Sequence, residues 1–284
     1  MADLTIQTRN AATGLAWVRS GLRLFARRPF ILIVMVAFGF LVTWTVALLP
    51  FAGPGLALVV VPATSVGMLA VCRAVELEQA PGISNYTDLF RDPHARLQVL
   101  KIGIFYALVI GALGTAWSLL PDATQGSIPA PPAGTGSVDA GPSPVQQSPA
   151  ASELPAITPA RALLALASLA IVVPLEMSLW FAPVLCAWHR MSAGKALFYS
   201  FFACWRNRLA MLVYLLALLG IVLIGVMAFG TLISITNARE GLAMYLLAPL
   251  PLTLLAISKT CALAMYRDVV DAADLAQAEQ ESAI

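Results

Sequence analysis

The sequence predicts an all-α, polytopic transmembrane helix bundle of six spans with both termini on the cytoplasmic side, and three observations lead there. Of its 284 residues, 60% are apolar and 11% charged, whereas soluble domains run at about 45–50% and about 25%. So few charges cannot clothe a surface that faces water. Six stretches are long enough to cross hydrocarbon as helix, which takes about 20 apolar residues. The cations, finally, gather on one side of those stretches.

Residues 30–49 carry no charge and are followed by a turn rich in Pro50, Gly53, Pro54 and Gly55. Residues 56–72 return and stop at Arg73, and residues 102–120 stop at Pro121 and Asp122. Residues 162–188 form a fourth span long enough to tilt, residues 209–235 a fifth and residues 241–266 a sixth. Each reads as helix because a long backbone segment in hydrocarbon must satisfy its own N–H and C=O groups. When the ends and loops are assigned alternately to the two sides, all of the 17 Lys and Arg residues except Arg161 and Arg239 fall on one side. The positive-inside rule makes that side cytoplasmic. The N-terminus reads as retained rather than cleaved, since the first span is full length with no small-residue site after it. Cys72, Cys186, Cys204 and Cys261 fall in the cytoplasmic half, where thiols stay reduced, and read as small packing residues.

Five segments follow: a basic amphipathic stretch (1–29), spans one to three (30–120), an extracytoplasmic loop (121–161), spans four to six (162–267) and an acidic tail (268–284). Between residues 121 and 160 there are nine Pro, four Gly and eight Ala, with no aromatic and no cation. Such a composition buries too little to offset ordering, so the loop reads as a disordered spacer. In the first segment Arg19, Arg23 and Arg27 form one stripe, while Leu15, Trp17, Val18, Leu22, Leu24 and Phe25 cover the opposite arc. This predicts a helix lying in the membrane surface, with Arg28 beside it and Pro29 turning the chain into the span. A second such helix precedes span five: Leu197, Phe198, Phe201, Phe202 and Trp205 on one face, Lys195, Tyr199, Ser200, Arg206 and Asn207 on the other, with Arg208 following. Anionic lipid headgroups are the expected partners of Arg19, Arg23, Arg27, Arg28, Lys195, Arg206 and Arg208. Nucleic acid is not expected, since the stripes are short and backed by apolar faces. A shift of 180 residues lays Ser20 on Ser200, Phe25 on Trp205 and Arg28 on Arg208, which suggests a degenerate duplication. The tail reads either as a solvated end or as docking onto the basic N-terminal helix.

"GLRLFARRPFILI" before span one and "WFAPVLCAWHRMSAGKALFYSFFACWRNRLAMLVY" around spans four and five resemble an uncharacterised family of bacterial inner-membrane proteins. The resemblance extends over all six spans and implies a fold and a compartment, not an activity. The chain is also weakly similar to the membrane module of bacterial glycerophosphodiester phosphodiesterases. The catalytic carboxylates and histidines of such an enzyme are absent, so no catalytic residue carries over.

Chemistry is sparse. His94 and His189 are far apart in loops, and no phosphate-binding loop, dinucleotide fingerprint, nucleophile elbow or Cys-x-x-Cys occurs; neither metal nor cofactor is expected. One carboxylate lies deep in a span: Glu176 is about 20 Å of helix from either end. A charge there costs at least ~2–3 kcal/mol. Lys259, about 12 Å inside the end of span six, is its natural partner or snorkels outward. Pro174 and Pro183 bracket Glu176, Pro249 and Pro251 interrupt span six, and broken helices are where transporters place their sites. Tryptophans such as Trp180 read as belt residues. The sequence therefore favours a non-enzymatic scaffold or lipid-interacting protein, with a small-solute or proton-coupled transporter built on Glu176 as the alternative. A cavity reaching Glu176 favours the transporter and a dry bundle the scaffold. An enzyme would have to bring together Glu176, Lys259, Tyr199, Arg190 and His189.

Overall fold

The computed structural model describes residues 6–120, 159–236 and 249–270. Every regular element among them is an α-helix: α1 (Thr13–Arg27), α2 (Pro29–Ala47), α3 (Gly53–Glu76), α4 (Ser84–Arg91), α5 (Pro93–Ser118), α6 (Pro159–Leu179), α7 (Ala182–Trp188), α8 (Ala193–Arg206), α9 (Arg208–Thr236) and α10 (Pro249–Val269). Six stretches are long and apolar enough to cross a membrane: Pro29–Ala47, Gly53–Glu76, Pro93–Ser118, Pro159–Trp188, Arg208–Thr231 and Pro249–Val269. The disordered-loop expectation falls almost wholly on residues 121–158, and most of the acidic tail on 271–284, both outside the described residues.

The chain forms two compact units. One comprises Ile110–Val172, with the C-terminal part of α5 and the N-terminal part of α6; here Trp117 donates from Nε1 to Ser168 Oγ at 3.1 Å. The other, residues up to Val109 and from Val173, holds everything described below.

Helix starts follow proline chemistry. A proline in the first turn loses nothing, because its missing N–H would have had no partner. Pro29 opens α2, Pro54 falls in the first turn of α3, and Pro93 opens α5. Span two thus begins within the expected turn, and span three begins before Ile102, on a ramp whose Ala95, Gln98, Val99, Ile102 and Gly103 are buried. Pro249 and Pro251 lie in the first turn of α10 as described, and the expected part of span six before them, residues 241–248, lies outside the described residues.

The fourth span breaks at Trp180 and Phe181. The Ser200 hydroxyl accepts the Phe181 N–H at 2.9 Å and donates to the Met177 carbonyl at 2.8 Å. Those backbone groups would otherwise bond each other as an i to i−4 pair. A side chain inserted into the ladder is a recognised cause of a kink, and Pro183 completes it by withholding the next donor.

The element order contains a unit that the sequence reading found only twice. α1 passes through Arg28 into α2, α4 through Asp92 into α5, and α8 through Asn207 into α9. Each time an amphipathic helix ends on arginine (Arg27, Arg91 or Arg206), one residue intervenes, and a membrane-length helix follows. A cation at a helix C-terminus complements the dipole there. A shift of 180 residues carries the start of α1 at Thr13 onto the start of α8 at Ala193, and three such units occur among the described residues.

α1 departs from expectation in its placement. Part of its apolar face packs on the protein instead: Gly14, Trp17, Val18, Gly21 and Leu24 are buried, chiefly against α9 and α10, while Leu15 and Leu22 of the expected arc are exposed. Two glycines permit this. A Cβ on Gly21 would stand 2.7 Å from the Cα and N of Cys261, and one on Gly14 would stand 2.8 Å from the N of Tyr214. Between helices in a membrane, where apolar burial gives no advantage over lipid, such backbone approach is a main source of adhesion.

The segment before α1 ties the same elements together. Asn207, 1% exposed, accepts the Arg9 N–H at 2.7 Å and donates to the Gln7 and Ala203 carbonyls, both at 2.9 Å. Gln7 donates its N–H to Val269 O, and Ile6 pairs with Val270 in an isolated antiparallel bridge. Arg9 binds the Asp268 carboxylate at 2.9 Å, and Trp17 donates from Nε1 to its other oxygen at 2.8 Å. The first residue of the acidic tail is therefore docked on the N-terminal segment.

Gly21→Val, placed against the Cys261 backbone, is expected to lose ~1–3 kcal/mol to overpacking, seen as a lower thermal midpoint and faster tryptic cleavage at Arg19 and Arg23. Gly220→Ala, with nothing within 4 Å of the added carbon, should leave both unchanged.

Candidate functional site

The expected lipid-contacting cations stand where headgroups could reach them. Arg19, Arg23, Arg27 and Arg28 are exposed, as are Lys195, Arg206 and Arg208. The two amphipathic helices differ in what backs those charges. α8 turns its small residues inward, with Ala196, Ser200, Ala203 and Cys204 buried. Burial pushes the Cys204 thiol up to about 12, the Ser200 hydroxyl opposing the shift. Ser200 and Asn207, assigned above to the outer polar face, are instead internal, because each fills backbone hydrogen-bonding needs at a helix break or joint. Phe198, Phe202 and Trp205 face outward at 62%, 39% and 51% exposure. Arg208 lies over the Trp205 ring at 5.7 Å and Lys195 over Tyr199 at the same distance. α8 thus presents aromatic rings and cations together, the pairing suited to a membrane interface, while α1 presents mainly its arginine stripe.

Glu176 and Lys259 converge. Both line an open cavity of about 210 Å³ between α3, α5, the broken span of α6 and α7, and α10, Lys259 half-buried and Glu176 exposed at it, with Ser65, Tyr106, Trp180 and Ser258 as its other polar groups. Tyr106 donates to Glu176 Oε1 at 3.4 Å, and Lys259 Nζ donates to Ser65 Oγ at 3.4 Å. Ser258 shares a 3.2 Å hydrogen bond with the buried Tyr214 hydroxyl. Trp180 Nε1 is buried without a hydrogen-bond partner. Among the described residues, no ion pair within 4.0 Å joins Glu176 to Lys259. Lys259 and Ser65 also border a second, largely apolar cavity of about 340 Å³ against α2.

The helices that frame the first cavity, α3, α7 and α10, run on to the cation-rich end, where aromatic and charged layers follow. Phe181 and Trp188 pack on Tyr266 with ring centroids 6.0 and 5.3 Å apart, and Arg73 lies over the Trp188 ring at 5.2 Å. Beyond them Arg267 pairs with Glu76 at 2.7 Å, and His189 Nε2 meets the Tyr266 hydroxyl at 2.7 Å. The residues an enzyme would have needed to gather are dispersed: His189 meets Tyr266, Arg190 pairs with Asp92 at 3.2 Å, and Tyr199 lies under Lys195. No group of three or more metal-ligating side chains occurs among the described residues.

Tyr106, Ser65 and Trp180 were not foreseen as site residues. Tyr106 and Ser65 carry no sequence mark beyond being polar within apolar spans, and Trp180 reads equally well as a belt residue. Only the helix break at Trp180 distinguishes it.

Comparison with known proteins adds the compartment. Over 207 residues, 72% of either chain, the sequence is 32% identical to a probable inner membrane protein of Burkholderia thailandensis. The chain belongs to that family of inner-membrane proteins. No family profile and no solved structure matches it, and the likeness to the phosphodiesterase membrane module gains no support from these comparisons. With six membrane-length helices, it is a multi-pass bacterial inner-membrane protein.

The contrast between α1 and α8 is measurable. In bilayers containing lipids brominated near the headgroup, a variant that keeps Trp205 alone of the six tryptophans should be strongly quenched. One that keeps Trp17 alone, 3% exposed, should be quenched severalfold less.

Proposed function

We propose that this inner-membrane protein is a non-enzymatic small-solute carrier whose binding site is the cavity bearing Glu176 and Lys259. One observation carries the reading: a carboxylate and an ammonium, both within membrane-length helices, open into one space of about 210 Å³. Each charge costs at least ~2–3 kcal/mol at membrane depth on the gentlest scale. Neutral hydroxyls would hold helices together at lower cost, as Ser200 does at the break beside the cavity. The break itself supports the reading, since discontinuous helices near the bilayer midplane are the usual setting for transporter sites. The cation bias supports cytoplasmic N- and C-termini, so that the Arg267–Glu76 pair and the Tyr266 layer lie on the cytoplasmic side of the cavity.

The competing reading, a scaffold or lipid-interacting protein with anionic headgroups at Arg19, Arg23, Arg27, Arg28, Lys195, Arg206 and Arg208, is favoured by the outward rings of α8. It requires no water at Glu176. Solvent access at that position therefore separates the two. In a background lacking the four native cysteines, Glu176→Cys is expected to react with a charged, membrane-impermeant thiol reagent added from one side, at a rate within about tenfold of a loop cysteine. Protection from both sides, in a variant that still inserts and accumulates, would contradict the carrier and leave the scaffold.

A further inference from the structure

The cavity holds polar capacity of both signs that its own walls leave unused. Tyr106 reaches only Oε1 of the Glu176 carboxylate, and that at 3.4 Å. The Lys259 ammonium has three N–H donors and directs one hydrogen bond, also of 3.4 Å, to Ser65. Trp180 Nε1, on the same wall as Glu176 and four residues beyond it, is buried without an acceptor. A buried polar group without a partner is costly, which bears on Trp180 Nε1 and on half-buried Lys259, while Glu176 is exposed at the cavity. Here two opposite charges share one space without forming an ion pair with each other.

We infer that the cavity takes a small zwitterion, whose ammonium is received by Glu176 and whose carboxylate or phosphate is received by Lys259 and Trp180. The inference rests on the reading of the cavity as a solute site and narrows it to a chemical class. Charge balance is the decisive consideration. The formal charges of Glu176 and Lys259 cancel, so the empty site is neutral. A net anion or a net cation would leave an uncancelled charge in surroundings of low dielectric, while a zwitterion keeps the sum at zero and matches each charge with its opposite. The volume, about 210 Å³, is that of about seven waters at ~30 Å³ each, room enough for an amino-acid-sized solute. The same chemistry occurs in the ethanolamine phosphate headgroup of a lipid, so the source is free solute or membrane.

The test uses the full chain in nanodiscs of phosphatidylglycerol alone, which contain no zwitterion. Radiolabelled glycine and glycerophosphoethanolamine, both of zero net charge, are the probes, with acetate and methylammonium as singly charged controls. The expected result is saturable binding of a zwitterion at least tenfold tighter than either control, abolished in Glu176→Gln and Lys259→Met. Trp180→Phe, which removes one N–H and keeps the ring, should weaken binding about tenfold, the value of one hydrogen bond to a charged group. If the source is lipid, the free probes will not bind. Nanodiscs supplemented with phosphatidylethanolamine should then yield one retained lipid per chain by native mass spectrometry, lost in the same variants. Acetate or methylammonium binding as tightly as the zwitterions would overturn the assignment, as would monodisperse wild-type protein retaining neither zwitterion nor phosphatidylethanolamine. Labelling of Glu176→Cys alongside such a failure would end the ligand class alone, whereas protection of that position would end the solute-site reading as well.

Discussion

Hydrocarbon does not tolerate an unmatched polar group, and most features of this chain follow from that constraint. It keeps nearly all cations at or beyond the ends of the spans. It also requires every break in a helix to be repaired by whatever hydrogen-bonding group stands nearest. At Trp180 and Phe181 the repair is the Ser200 hydroxyl, placed between the Phe181 N–H and the Met177 carbonyl. At the joint of α8 and α9 it is the Asn207 amide, which serves Gln7, Arg9 and Ala203. Where polar groups lack such repair, at Glu176, Lys259 and Trp180, they face a cavity. Among the described residues, these three gather in one place, and that gathering marks the site.

The same constraint removes the usual glue between helices. Apolar side chains gain little by leaving lipid for protein, so helix adhesion must come from close backbone contact and from hydrogen bonds. α1 uses both, with Gly14 and Gly21 against α9 and α10, and Arg9, Trp17 and Asp268 tied beside them. An amphipathic helix with such glycines has a better use for its apolar face than the membrane surface. α8 has small residues on its inner face and large rings on its outer face, so its rings are left for the interface. Two helices with similar hydrophobic patterning thereby come to differ in what they touch.

The spans were legible because length and apolarity at membrane scale need no tertiary information. Glu176 and Lys259 were legible as isolated charges in apolar runs. What remained hidden depended on partners. The eight-residue α4 lay within a loop too polar to attract notice. The docking of α1 depended on which helix would lie against Gly21. The roles of Ser200 and Asn207 depended on backbone groups far away in sequence, so a helical wheel placed them on the polar side. Tyr106 and Ser65 joined the site only through the convergence of α3, α5 and α10, which no single-segment pattern contains.

The central claim is that two opposite charges from different spans share one intramembrane space. It is tested most directly by a Glu176→Cys, Lys259→Cys double variant in a background without the native cysteines, treated in membranes with a short homobifunctional thiol reagent and digested between the two sites. The account requires an intramolecular cross-link that retains both fragments in one band, absent from either single variant. Failure to cross-link, with both positions reacting singly with monofunctional reagent, would show that the two residues face different spaces and would contradict the account.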